Sequence, residues 1–314
     1  MSNLNEKIYR SLYRIRRIEE EVVRVYPTDK VKSPIHLSIG QEAVSVGVCE
    51  GLRPDDIVFG TYRNHALYLA KGGDVKKMIA ELYGKATGCA KGKGGSMHLV
   101  DVAVGVMGGS AVVGTTIPQA VGFAFALKLQ RSNRVVVSVF GDGAVEEGAF
   151  HESMNFAALK KLPIIFVCEN NFYAIHSRQE ARQSPPDICT LARAYGMTAE
   201  RIENNDVLTI HESITKAVGD LRASAAGPRF FECMTYRWKE HVGPADDFQA
   251  GYRSYEEARP WVEGDQVTRI GRMLAPEVRA LIEKEIEAQI ADAFAFAEAS
   301  PFPEPSELFT DVFA

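Results

Sequence analysis

Two uniformly apolar runs with a helical stripe between them mark the middle of the chain. Val135–Phe140 is a short β-branched run, the composition of a strand buried on both faces. Gly141-Asp142-Gly143 breaks it. Phe150, Met154, Ala157 and Ala158 then fall on one stripe and predict a helix. Pro163 opens a second apolar run, Ile164–Cys168, which ends at Glu169-Asn170-Asn171. A strand–helix–strand unit of this kind crosses over right-handed, which sets its two strands parallel.

The same patterning extends outward. Leu4, Ile8, Leu12, Ile15, Ile18, Val22 and Val25 recur at steps of three and four, so residues 4–25 predict an amphipathic helix. Its basic run, Arg14, Arg16 and Arg17, is expected on a solvated or subunit-facing surface. Residues 55–65 predict a short strand ending in the polar cluster Thr61–His65. Residues 108–130 predict a turn and then a buried helix from about Pro118. Pro185-Pro186 breaks the chain before another helix, Phe230–Tyr236 predicts a strand, and 237–254 a long polar loop. Ile282, Ile286, Ile290 and Phe294 mark a last amphipathic helix over 276–299. The expected fold is α/β, with a mostly parallel sheet flanked by helices. With no repeat and no long linker, residues 1–314 are expected to form a single domain with an N-terminal helix and a C-terminal helix plus tail.

Composition narrows the function. The net charge of −5 gives no reason to expect nucleic-acid binding. The most apolar stretch, Ala111–Leu127, contains Thr115, Thr116, Pro118 and Gln119, so no membrane span is expected. The N-terminus lacks an apolar signal core and carries Glu6, Glu19, Glu20 and Glu21. Cys49, Cys89, Cys168, Cys189 and Cys233 are scattered without a CxxC pair, as expected of reduced thiols in a cytoplasmic protein.

The chemistry lies where the two central strands end. Asp142 and Asn171 come together there, at the edge where open α/β sheets bind ligands. A carboxylate and an amide oxygen suit Mg²⁺, which keeps substrate phosphates among its ligands. Gly143 and Ala144 are expected to open the following helix and to present their N–H groups to the same point. Glu146 stands where a dinucleotide fingerprint needs its third glycine, and no GxxxxGK[ST] occurs. Tyr62 and Arg63 supply donors suited to a phosphate. The run GKATGCAKGKGGS (84–96) is read either as a phosphate cradle or as a mobile connection.

The stretch GDGAVEEGAFHESMNFAALKKLPIIFVCENNFYA resembles the thiamine-diphosphate motif, a GDG followed at the next strand end by NN. The chain is similar over nearly its whole length to the α subunits of the first component of 2-oxoacid dehydrogenase complexes, the pyruvate, branched-chain and acetoin dehydrogenases. The resemblance implies a thiamine-diphosphate-binding fold and thiamine diphosphate with Mg²⁺ as cofactors. It gives the metal to Asp142, Asn171 and Tyr173, and the cofactor to Tyr62, Arg63, Ala111, Val113, Gly143, Ala144, Asn171 and His241. The Ala111 carbonyl would accept a bond from the aminopyrimidine, and Val113 would wedge between the two rings. His241 matches the family's active-site histidine, His36 would face the substrate, His65 is expected near the reacting carbons as a further catalytic residue, and His176 is expected near the cofactor. The cofactor's C2 carbanion would add to a 2-keto carbonyl and hold the decarboxylated carbanion.

By the same resemblance a β subunit supplies the activating glutamate, in a tetramer of two α and two β chains. A lipoyl acyltransferase would accept the acyl group. The length of 314 residues is expected to leave no room for a second, pyrimidine-binding domain. Two departures matter. Val242 stands where mammalian members carry a regulatory serine, and Lys239-Glu240 replaces the common His-Gly. The second keeps open a non-oxidative carboligase or split transketolase-like subunit. A catalytically silent scaffold is the reading from another class, and Asp142, Asn171, Arg63 and His241 speak against it. The segment 242–254 is expected to be ordered by the bound diphosphate.

Overall fold

The computed structural model describes residues 2–184, 187–223 and 227–311, so Pro185-Pro186 and the end of the tail lie outside the described residues. In chain order the strands are β1 (Ile57–Phe59), β2 (Val136–Gly141), β3 (Ile164–Asn170), β4 (Tyr173–Ala174), β5 (Ser177–Arg178), β6 (Thr198–Ile202) and β7 (Arg229–Met234). Five of them form one sheet in the order β1-β2-β3-β7-β6, parallel throughout. β4 and β5 form a separate antiparallel hairpin just after β3.

The central strands β2 and β3 are buried on both faces, which is why they are almost wholly apolar, whereas the edge strand β6 alternates exposed and half-buried positions. Val137 and Val139 of β2 and Ile165 and Val167 of β3 face one core. Val136, Phe140, Ile164, Phe166 and Cys168 face the other. The first core is covered by α1 (Ser2–Val25), α2 (Glu42–Glu50), α3 (His65–Ala70) and α4 (Val75–Leu82). The chain then crosses to the second face for α5 (Thr116–Leu129), α6 (Gly148–Lys160) and α7 (Cys189–Ala194). α8 (Val207–Ala223) returns to the first, as do α10 (Gln266–Gly271) and α11 (Pro276–Ala299), while α9 (Tyr255–Glu263) packs through Ala258 in a small separate cluster with Tyr173 and Tyr236.

Two expectations from composition are corrected. The basic run of α1 is not a solvated surface: Arg16 is buried between Glu42 at 2.6 Å and Asp265 at 3.0 Å, and Arg17 pairs with Glu287 at 2.7 Å. The glycine-rich stretch neither cradles a ligand phosphate nor hangs loose. It wraps the buried carboxylate of Glu81, which accepts bonds from the N–H groups of Ala90, Gly92, Gly94 and Gly95 at 2.8–3.0 Å. Gly92 and Gly95 adopt positive φ to close that wrap. The tail docks on the same stretch: Ala86 N–H donates to the Pro301 carbonyl, and the Lys93 ammonium to the Thr310 hydroxyl.

Glu81 therefore holds a whole loop through charge-assisted bonds. Glu81→Ala is expected to destabilise the chain by about 3 kcal/mol, and Glu81→Gln, which keeps one acceptor oxygen, by less. Urea denaturation of the two variants checks the order.

Candidate active site

β1, β2, β3 and β7 all deliver their C-terminal ends to one edge of the sheet, and a cavity of about 260 Å³ opens there. Its walls come from the turns that follow those ends. Tyr62 and Arg63 come from the turn after β1, and Asp142, Gly143 and Ala144 from that after β2. Asn171 and Tyr173 follow β3, and His241 comes from the loop beyond β7. Gln41, Ser110, Val113, Glu146, Glu147 and Glu169 complete most of the lining.

Gly141 and Glu169 are register partners in β2 and β3, so the residues after them emerge together. The Asn171 backbone N–H bonds the buried Asp142 carboxylate. Burial pushes the Asp142 carboxyl up, and the Arg182 guanidinium, in direct ion-pair contact, pulls it back. The Asn171 side-chain amide donates to Gln41 Oε1 at 3.0 Å, and its oxygen accepts the Tyr173 N–H at 3.2 Å. The Tyr173 phenol turns away to the Glu257 carboxylate at 2.8 Å, so the main chain is what Tyr173 offers the cavity. Gly143 and Ala144 do not open α6. They lie in a 3₁₀ turn, Asp142–Glu146, and α6 begins only at Gly148. A Cβ on Gly143 would come within 2.8 Å of the Ala174 side chain, so the close approach of turn and hairpin requires glycine there.

Opposite this pair lies Arg63, 8% exposed. Its guanidinium donates to the Leu37 carbonyl at 2.7 Å and to the His241 carbonyl at 3.0 Å. Among the described residues no carboxylate lies within ion-pair distance of it, and burial pushes its pKa down to about 10. Tyr62 and His36 pack ring to ring at 4.5 Å, with the His241 ring 5.1 Å from His36. Burial, and after it the Arg63 charge, pushes both imidazoles down to about 3, so both are neutral. His36 Nδ1 is buried with no hydrogen-bond partner among the described residues.

Several expected residues stand elsewhere. His65 does not line the cavity. It is wholly buried, with Nδ1 on Glu19 Oε1 at 2.5 Å and Nε2 on Ser96 Oγ at 2.7 Å. This serine–histidine–carboxylate chain has no exposed member, so it braces the fold. Ala111 is exposed and outside the lining, although Ser110, Val112, Val113 and Gly114 belong to it. His176 packs on Tyr252 at 4.7 Å and does not line the cavity. The segment 242–254 has anchors of its own: Asp247 accepts from Arg237 at 3.0 Å and from Arg253 Nε at 2.7 Å.

Sequence reasoning passed over Gln41, Glu169 and Arg182. Glu169 was visible as the acid ahead of Asn170-Asn171, and burial now pushes its carboxyl up to about 7 against the pull of Arg63. Gln41 and Arg182 carried no signal, because each acts through a residue distant in sequence.

The dehydrogenase E1 component family matches residues 10–306. The chain belongs to that family. It is 36% identical over 310 residues to the α subunit of acetoin:2,6-dichlorophenolindophenol oxidoreductase of Bacillus subtilis, covering 98% of this chain and 92% of that one. It is 38% identical to the chloroplastic pyruvate dehydrogenase E1 component subunit alpha-3 of Arabidopsis thaliana, covering 98% and 74%. It is 33% identical to the pyruvate dehydrogenase E1 component subunit alpha of Rickettsia bellii, covering 98% and 95%. The chain is an α-type component of the thiamine-diphosphate-dependent 2-oxoacid dehydrogenases. No described helix is long and apolar enough to cross a membrane.

The two neutral imidazoles set a pH dependence. In the unfolded chain they take up protons below about pH 6.5, and in the folded chain only near pH 3. The stability this contributes is complete above pH 6.5 and is lost as the pH falls from there towards 3. In NMR of the labelled chain, the His36 and His241 ring signals are expected not to titrate between pH 5 and 8. A His36→Gln/His241→Gln variant is expected to lose stability less steeply below pH 6.5.

Proposed function

We propose that the cavity holds the diphosphate end of thiamine diphosphate with Mg²⁺, and that the chain works as the α subunit of a two-chain, cytoplasmic 2-oxoacid or acetoin-type dehydrogenase. The observation that carries this is the meeting of Asp142 and Asn171 across from Arg63, a buried cation whose partners, the Leu37 and His241 carbonyls and His241 Nδ1, carry no negative charge and leave it in need of an anion. Asp142, the Asn171 side-chain oxygen and the Tyr173 main chain would hold the metal. Tyr62, Arg63, the Gly143 and Ala144 N–H groups and His241 would hold the diphosphate. On this reading the whole chain serves as one diphosphate-binding domain.

Bound there, thiamine diphosphate would supply the nucleophilic carbon and the electron sink that decarboxylation of a 2-keto acid requires. The chain's own residues have other tasks. Arg63 sets the diphosphate by a fork of parallel donors and ties it to the loops bearing Leu37 and His241. His241 and His36, being neutral, each keep one nitrogen able to accept a proton and one able to donate. Val113, which lines the cavity, would pack against the cofactor.

Val112 and Val113 are 63% and 42% exposed at the cavity rim, which supports a second polypeptide covering it. That chain, a β subunit, would bring the glutamate that activates the aminopyrimidine. The acyl group would pass to a lipoyl acyltransferase.

Asp142→Ala is expected to weaken thiamine diphosphate binding in the presence of Mg²⁺ by about 100-fold or more, with the fold intact. Calorimetry on the native assembly measures this, and unchanged affinity sinks the metal assignment. The chain purified alone, given Mg²⁺ and thiamine diphosphate, is expected to decarboxylate no 2-oxoacid until a β subunit is added. Turnover by the single chain would refute the two-chain reading.

A further inference from the structure

The segment just after the β4–β5 hairpin grips the turn that carries Asp142. Arg182 uses all three of its guanidinium nitrogens. Nε donates to the Ser177 carbonyl at 3.0 Å, Nη1 binds the Glu146 carboxylate, and Nη2 binds Asp142 Oδ2. The next residue joins in: Gln183 Nε2 donates to the Asp142 carbonyl and to Glu146 Oε1, both at 2.9 Å. Neither Arg182 nor Gln183 lines the cavity, whereas Asp142 and Glu146 both do. The Arg182 side chain is only 10% exposed.

We propose that Arg182 is a positioning residue for metal binding: it fixes one Asp142 carboxylate oxygen from behind, so that the other is held ready for a divalent cation in the cavity. The inference rests on the reading of Asp142 as a metal ligand. Arg182 is anchored at both ends of its fork and from its Nε, so it is a strut of fixed length and direction. The 3₁₀ turn Asp142–Glu146 has only five residues and little rigidity of its own. Without the strut, the Asp142 carboxylate loses its guanidinium partner and is held by main-chain N–H groups such as that of Asn171, and metal affinity falls by the amount that loss of an orienting partner usually costs, roughly 10–100-fold. A lysine keeps the charge and reaches one acceptor, but not the fork.

The test measures Mn²⁺ affinity by electron paramagnetic resonance on the native assembly with thiamine diphosphate present, for Asp142→Asn, Arg182→Gln, Arg182→Lys and Gln183→Leu. Asp142→Asn should bind Mn²⁺ markedly more weakly; if it does not, the metal assignment itself fails. Given that loss, Arg182→Gln should weaken Mn²⁺ binding about 10–100-fold, with Arg182→Lys recovering part of it. Gln183→Leu, which removes a single amide from the same grip and serves where Arg182→Gln does not fold, should weaken binding by roughly 3-fold. Affinity for Mn²⁺ unchanged or raised in Arg182→Gln or Gln183→Leu, while Asp142→Asn loses it, overturns the inference and makes Arg182 a counter-ion that the metal displaces.

Discussion

Arg63 is the pivot of the site. A guanidinium with almost no access to water has to be satisfied by something, and here its partners are the main-chain carbonyls of Leu37 and His241. Those carbonyls belong to two loops that are also joined backbone to backbone, by the Gly243 N–H on the Ile35 carbonyl at 2.8 Å and the Trp238 N–H on the Ile39 carbonyl at 3.0 Å. The rest of the architecture keeps them in place. α1 reaches down to the first loop through Arg16 on Glu42 and through Glu19, whose carboxylate takes the Ser38 N–H and His65 Nδ1. The second loop is closed on itself by Asp247 with Arg237 and Arg253. Arg16, Arg237 and Arg253 thus each have a buried carboxylate as partner, and the cation in the cavity is left without one.

The central βαβ unit was legible because its information is local. The apolar runs, the GDG and the NN lie in one continuous stretch, and parallel pairing of β2 with β3 brings their ends together without help from the rest of the chain. The same is true of α1 and α11, whose stripes repeat every three or four residues. What failed was whatever depended on a partner far along the chain. His65 follows Arg63 by two positions, yet Glu19 and Ser96 claim both of its ring nitrogens and take it out of the site. Arg16 read as surface because its partners, Glu42 and Asp265, come from α2 and from the start of α10.

The glycine-rich stretch carries a different lesson. Consecutive glycines let backbone N–H groups converge on an anion, and composition alone does not say whose anion it is. Here it is the carboxylate of Glu81, a residue of the helix just before. The chain has used phosphate-loop chemistry to fold a connection.

The charge lining the cavity is predominantly acidic. Asp142, Glu146, Glu147 and Glu169 all contribute to the lining, against Arg63 as the one lining cation among the described residues. Arg182 neutralises part of this from outside the cavity, bound to Asp142 and Glu146. Burial raises the Glu169 carboxyl to about 7, which lessens its charge near neutrality but does not remove it. A diphosphate entering such a pocket meets attraction from Arg63 and repulsion from the Asp142 side. A divalent cation seated at Asp142 reverses the sign on that side and turns the acidic wall into a second anchor. On the proposed reading, metal and diphosphate would therefore be mutually dependent ligands, each relieving the charge that would exclude the other.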